Sequence, residues 1–180
     1  ECKSCGICTQ VCPKYAFSAS ALEKEIFGRE RREDEKFGVY RRILLARTRD
    51  EEIQEVCQDG GVVTTLLKFA LEEEIIDGAA VSGISEEEPL KPAPKLATNV
   101  KEVLESAGTR YSYSPNLFAL KEGVMQKKRR IAFVGTPCQV NAVRRIQAVP
   151  LKRYAEAVYV TIGLFCSESF THESFVKNLI

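Results

Sequence analysis

The sequence is poor in the residues of side-chain catalysis. One histidine, His172, stands in 180 residues, and no serine–histidine–carboxylate or paired-carboxylate set can be assembled around it. Whatever chemistry the chain performs must come from cofactors. His172 itself follows Thr171 near the start of an expected helix and reads as a surface or capping residue. Long apolar runs are also missing: none approaches the length of a membrane span, and no basic-then-apolar leader opens the chain, so it reads as cytoplasmic. Charge of one sign is absent too. Twenty-six basic against 25 acidic residues leave a formal charge of +1, which supplies no bulk field for nucleic acid. The basic runs at 29–32, interrupted by Glu30, and at 127–130 read as solvated faces or docking edges. No internal repeat is present, and 44% hydrophobic residues exclude a disordered or fibrous chain in favour of one globular domain with a short appendage.

Cysteine is what the sequence does have. Seven cysteines, an odd number, fit a reducing compartment holding metal centres better than a disulfide scaffold. Four of them lie in Cys2-Lys3-Ser4-Cys5-Gly6-Ile7-Cys8-Thr9-Gln10-Val11-Cys12-Pro13, the spacing C-x2-C-x2-C-x3-C-P. Two intervening residues let successive thiolates face one small object, and that object is expected to be a 4Fe–4S cluster. Zinc sites usually pair C-x2-C with a second pair many residues away, which is not the pattern here. Gly6 keeps side-chain bulk from the place where backbone N–H groups approach, and Pro13 turns the chain away. In two-cluster ferredoxins the fourth cysteine of each run serves the other cluster, so Cys12 has two possible assignments. A run with its first ligand at position 2, and a last helix cut at residue 180, read as a fragment at both ends.

Beyond the run, 21–25 predicts a short helix and 26–40 a charged connector in water, tacked to the next domain by Ile26, Phe27, Phe37 and Val39. Residues 42–46, with Ile43, Leu44 and Leu45 consecutive, predict a strand buried on both faces. From Gly61 the pairs Val62/Val63, Leu66/Leu67 and Ala70/Leu71 recur every four residues, an amphipathic helix entered through a Gly-Gly turn. A buried strand at 79–84, a Pro-rich surface loop at 85–94 and an edge strand at 96–97 follow. Asn99 is placed to cap a helix over 100–107. A hydroxyl-rich loop at 109–116 precedes a helix over 117–126, a strand over 131–134, an amphipathic helix from Val140 and a strand over 158–165. Helix, short turn and strand in alternation are the rhythm of an α/β sandwich.

Three further places carry candidate chemistry. Gln58-Asp59-Gly60-Gly61 at a helix start suits a phosphate or an electron-rich ring edge, or else is a plain turn. Residues 108–116 hold five hydroxyls, an amide and Arg110, and are either a ligand loop or a solvated one. Cys138 and Cys166 both fall just past strand ends, on one edge of a parallel sheet; they are half of a metal site or two small buried residues. Cys57 reads as a packing residue.

In order along the chain, Cys57-Gln58-Asp59-Gly60-Gly61-Val62-Val63-Thr64-Thr65-Leu66-Leu67, Ala107-Gly108-Thr109-Arg110-Tyr111 with Ser114-Pro115-Asn116, Gly135-Thr136-Pro137-Cys138-Gln139 and Gly163-Leu164-Phe165-Cys166-Ser167-Glu168-Ser169-Phe170 resemble the family of coenzyme F420 hydrogenase/dehydrogenase beta subunits. The resemblance implies a mixed α/β flavin-binding domain over 42–180, preceded by a ferredoxin-type segment at 1–20 and a connector at 21–41. It implies FAD, at least one 4Fe–4S cluster, coenzyme F420 as substrate, and partners that are other subunits of a hydrogenase or dehydrogenase complex or a fused redox domain. Gln58, Asp59, Gly60, Gly61, Val62, Thr65, Gly108, Thr109, Arg110, Tyr111, Ser114, Pro115, Asn116, Thr136 and Pro137 match segments lining the flavin and deazaflavin site. Cys138 and Cys166 match two ligands of the family's own cluster, whose other ligands form a C-x2-C pair beyond residue 180. A flavin-free electron-transfer module, or a relative acting on another acceptor, are the alternatives.

Overall fold

Side chains alternate across an extended backbone, and here the alternation decides which helix each strand residue meets. The computed structural model describes residues 4–16, 18–149 and 151–179. In chain order its elements are α1 (Ile7–Val11), α2 (Ala19–Phe27), α3 (Glu51–Val56), α4 (Val62–Glu72), β1 (Gly78–Ile84), β2 (Pro92–Ala97), α5 (Val100–Glu105), α6 (Leu117–Met125), β3 (Ile131–Gly135), α7 (Pro137–Ala148), α8 (Lys152–Ala155), β4 (Val158–Gly163) and α9 (His172–Leu179). The strands form one sheet in the order β2-β1-β3-β4, with β2 antiparallel to β1 and the other pairs parallel. Ala79, Val81, Ala132 and Val134 point to one face and pack with Leu67 of α4 and Val103 of α5. Ala80, Ile131 and Phe133 point to the other, against Leu120 and Val124 of α6 and Val143 of α7. The result is a mixed α/β sandwich, as the alternation of elements predicts.

Local chemistry explains the boundaries. Asn99 Oδ1 accepts from the Glu102 amide at 3.0 Å while Glu102 accepts from the Thr98 amide, so each side chain satisfies an orphan donor at the start of α5. Asp50 caps α3 through the Ile53 amide and is itself paired with Lys68 at 2.7 Å. Pro92 and Pro94 sit in β2, an edge strand, where a missing donor is tolerated.

Four expectations are corrected. Residues 42–46 form no strand: Ile43, Leu44 and Leu45 are 81%, 78% and 104% exposed, because the described sheet leaves no position for them between two neighbours. The connector is not tacked down by its apolar residues, since Phe37 is 97% exposed. It is folded on itself by carboxylates. Glu35, its side chain fully enclosed, accepts a two-pronged pair from Arg29 at 2.7 Å and the Arg32 amide at 2.7 Å; Arg31 grips Glu23. The Arg29 hydrogen bonds, then the Arg32 amide, pull the Glu35 pKa down to about 2. Arg29, Arg31 and Arg32 are thus engaged, not merely solvated. The short helix expected at 21–25 is longer, running through α2, because Ser18 caps it by accepting from the Ala21 amide.

Candidate functional site at the carboxyl edge of the sheet

Four segments distant in sequence converge where β3 and β4 end. Gln58 is the first link: its Oε1 accepts from the Thr109 amide at 3.2 Å and its Nε2 donates to the Tyr111 hydroxyl at 3.0 Å, across more than fifty residues. Asn116 is the second, donating from Nδ2 to the Val134 carbonyl at 2.9 Å and accepting the Ser114 hydroxyl at 2.7 Å. Gln139, on α7, donates to the Ser114 carbonyl at 2.6 Å. The fourth segment joins through the Phe170 amide, which donates to Tyr111 O at 3.0 Å, and through a bridge between Ser112 and Phe170. Tyr111 also stacks on Phe175 of α9. The 108–116 loop is therefore the hub of the site, with Ser112, Ser114 and Asn116 buried and not solvated.

Gly60 and Gly61 are close-approach residues for the protein's own chain, backbone at Gly60 and side chains at Gly61. Gly61 has φ +68°, and a Cβ there would lie 2.8 Å from Thr48 Cγ2 and 2.9 Å from Ile53 Cγ2. At Gly60 it would meet the Ala46 carbonyl at 2.8 Å, and the Thr48 amide donates to the Gly60 carbonyl. Thr65 closes this corner, its hydroxyl bonding Thr48 Oγ1 and the Gly61 carbonyl. Asp59 and Val62 are exposed beside it, and Cys57 Sγ reaches the Asp59 carbonyl at 3.1 Å. Arg110 is half-buried and donates to the Ala107, Thr109 and Gly83 carbonyls; burial pulls its pKa below the ordinary value. Among the described residues no carboxylate is paired with it, so this cation next to Gly108 suits an anionic group.

Cys138 and Cys166 lie on one edge. Gly135 and Gly163 are register partners, the Leu164 amide donates to the Gly135 carbonyl, and each cysteine stands three residues past its glycine. Both thiols are exposed, which removes the reading as small buried residues. Thr136 precedes α7, Pro137 opens it, and the Thr136 hydroxyl lies 3.3 Å from Cys138 Sγ. A cavity of about 230 Å³ between Pro137, Val140, Asn141 and Gly163–Phe165 adjoins them. At the other end Cys5 and Cys8 are exposed and Cys12 is half-buried, all free thiols; Cys8 lies in α1 and Cys12 directly follows it, its amide donating to the Cys8 carbonyl. Cys2 lies outside the described residues. Thiols are the donors iron–sulfur centres take, so the set fits in type. Among the described residues no three potential ligands are yet gathered around a metal position.

Two family models match this chain, that of the coenzyme F420 hydrogenase/dehydrogenase beta subunit N-terminal region over residues 43–121 and that of its C-terminal region over 128–180. The chain belongs to that family. It is 40% identical over 140 residues to the beta subunit of coenzyme F420 hydrogenase from Methanothermobacter thermautotrophicus, covering 76% of this chain and 50% of the relative. It is 31% identical over 179 residues to one of the subunits of the F(420)H(2) dehydrogenase of Methanosarcina mazei, covering 99% of this chain and 45% of the relative. A chain in the solved F420-reducing NiFe hydrogenase complex from Methanosarcina barkeri superposes with a TM-score of 0.68 at 37% identity, over 73% of this chain and 47% of that one. This chain thus spans about half the length of these relatives.

Sequence reasoning overlooked Gln139 as a site residue. It falls on the stripe of Val143 and Ile146, and a polar residue on the buried face of a helix needs a partner. His172 is the first residue of α9, while Thr171 Oγ1 supplies the cap by accepting from the Ser174 amide.

Proposed function

We propose that the chain is the F420-linked redox portion of a beta subunit: an iron–sulfur flavoprotein segment that moves electrons between coenzyme F420 and sulfur-bound iron within a hydrogenase- or dehydrogenase-type complex. The observation that carries this reading is the hydrogen-bonded convergence of four motifs on the edge that also bears Cys138 and Cys166. FAD, when bound, exchanges electron pairs on one side and single electrons on the other, as a link between a hydride carrier and iron requires.

The chain's own residues supply holding and orientation. The free amides opening α4, next to Gln58–Val62, and the uncompensated Arg110 favour the anionic parts of FAD or coenzyme F420. Gln58 fixes the 108–111 loop, and Asn116, joined by Ser114, fixes its far end against β3. Cys138 and Cys166 would contribute two ligands to one cluster, and Cys2, Cys5, Cys8 and Cys12 to another. Among the described residues no helix is long and apolar enough to cross a membrane, and we assign the protein to the cytoplasm.

The test is chemical analysis of anaerobically purified full-length protein for acid-labile sulfide and for flavin released on unfolding. Both should be present. In a Cys5→Ser variant, transfer to the partner should stop while flavin content and coenzyme-to-dye reduction persist. Sulfide and flavin both absent from the wild-type protein would end the proposal.

A further inference from the structure

Helix α7 carries Cys138 and meets the backbone of the segment that bears the N-terminal thiols. Cys138 is its second residue, and Arg145, seven residues on, lies about 10.5 Å further along the axis and within about 20° of the same side of the helix. The Arg145 guanidinium turns to the N-terminal segment: Nη1 donates to the Cys12 carbonyl at 2.5 Å and to the Tyr15 carbonyl at 2.9 Å. Ser4 aside, these are the only hydrogen bonds among the described residues that join 5–40 to the sheet domain. The surrounding contact is loose. A groove of about 190 Å³ remains between Gln10, Ser18 and Leu22 on one wall and Arg145, Ala148 and Val149 on the other. Among the described residues Arg145 has no carboxylate partner, so its charge is directed at two backbone dipoles beside a cysteine.

We infer that Arg145 is a positioning residue, a clamp that docks the cysteine segment on α7 and holds Cys12 at a fixed separation from Cys138. α7 then serves as a ruler between the two thiol sets. The docking does not depend on iron; its meaning for electron transfer rests on the function proposed above, and the sulfide analysis tests that separately.

The experiment is amide hydrogen exchange on the full-length protein, comparing Arg145→Met with Arg145→Lys. Methionine keeps an apolar stem for packing but has no donor, whereas lysine keeps a cation with N–H groups. Exchange across residues 5–16 should rise about tenfold or more in the Met variant and stay within about threefold of wild type in the Lys variant, with β1 and β3 unchanged in both. A Met variant as protected as wild type, or Met and Lys variants that lose protection alike, would overturn the clamp.

Discussion

Replacing Asn116 by alanine strikes a buried junction of the site. The residue is 5% exposed and ties the 108–116 loop to the end of β3 through the Val134 carbonyl, while receiving the Ser114 hydroxyl. Alanine removes both bonds, each with a net value of about 0.5–1.5 kcal/mol, and strands the buried Ser114 hydroxyl, so the total is about 2–4 kcal/mol. Against a domain stability of roughly 5–15 kcal/mol this leaves a folded but weakened protein. With no tryptophan in the sequence, urea unfolding is best followed by far-ultraviolet circular dichroism. The midpoint should fall with the slope unchanged, as expected when stability and not compactness has changed. Asn116→Asp is the informative companion. It still accepts from Ser114 but opposes an oxygen to the Val134 carbonyl, so it should lose at least as much. An alanine variant within about 0.5 kcal/mol of wild type would refute the reasoning, because that is the range of surface substitutions that touch nothing.

Gly61→Ala should destabilise by about 2–5 kcal/mol, combining a left-handed backbone with overpacking against Thr48 and Ile53; a shift in urea unfolding below about 1 kcal/mol would contradict this. The connector should be acid-labile. Because the Glu35 pKa is depressed in the folded state, its contribution is fully present above the ordinary value of 4.5 and is lost as pH falls through about 2. Amide protection over 29–38 should follow that window, and Glu35→Gln should flatten most of the dependence, with Glu23 retaining the rest. Protection that stays constant from pH 4.5 to 2 in the wild-type protein would count against the carboxylate lattice. Cys5→Ser should separate the two ends of the chain, halting delivery to the partner while flavin stays bound. Flavin lost together with the thiol would mean that the N-terminal segment is a structural support.

Periodicity made the central elements legible. The four-residue recurrence from Val62 gave α4, and the short apolar runs ending at Ile84 and Val134 gave the strands that became β1 and β3. Cys138 and Cys166 could be placed on one edge because strand, turn and helix follow each other directly. What periodicity cannot see is partnership. Ile43-Leu44-Leu45 has the composition of a buried strand, but composition does not create a neighbour to pair with, and the run stands in solvent. The connector offered the opposite trap, since its charges read as water-loving while Glu23 and Glu35 pair off inside it. The Gly-Gly turn was legible, yet whose approach it allows, that of the Ala46 carbonyl at Gly60 and of Thr48 and Ile53 at Gly61, depends on residues eight to fourteen positions away. Arg145 had no local mark at all, because its partners are backbone carbonyls 133 and 130 residues distant.

The most direct test of the redox assignment is an anaerobic titration of the intact protein with reduced coenzyme F420, following coenzyme and flavin absorbance together. The account predicts that the coenzyme is oxidised as flavin is bleached in proportion, and that Arg110→Ala requires more coenzyme for the same bleaching. A protein that leaves reduced coenzyme F420 untouched while containing its flavin and sulfide would contradict it.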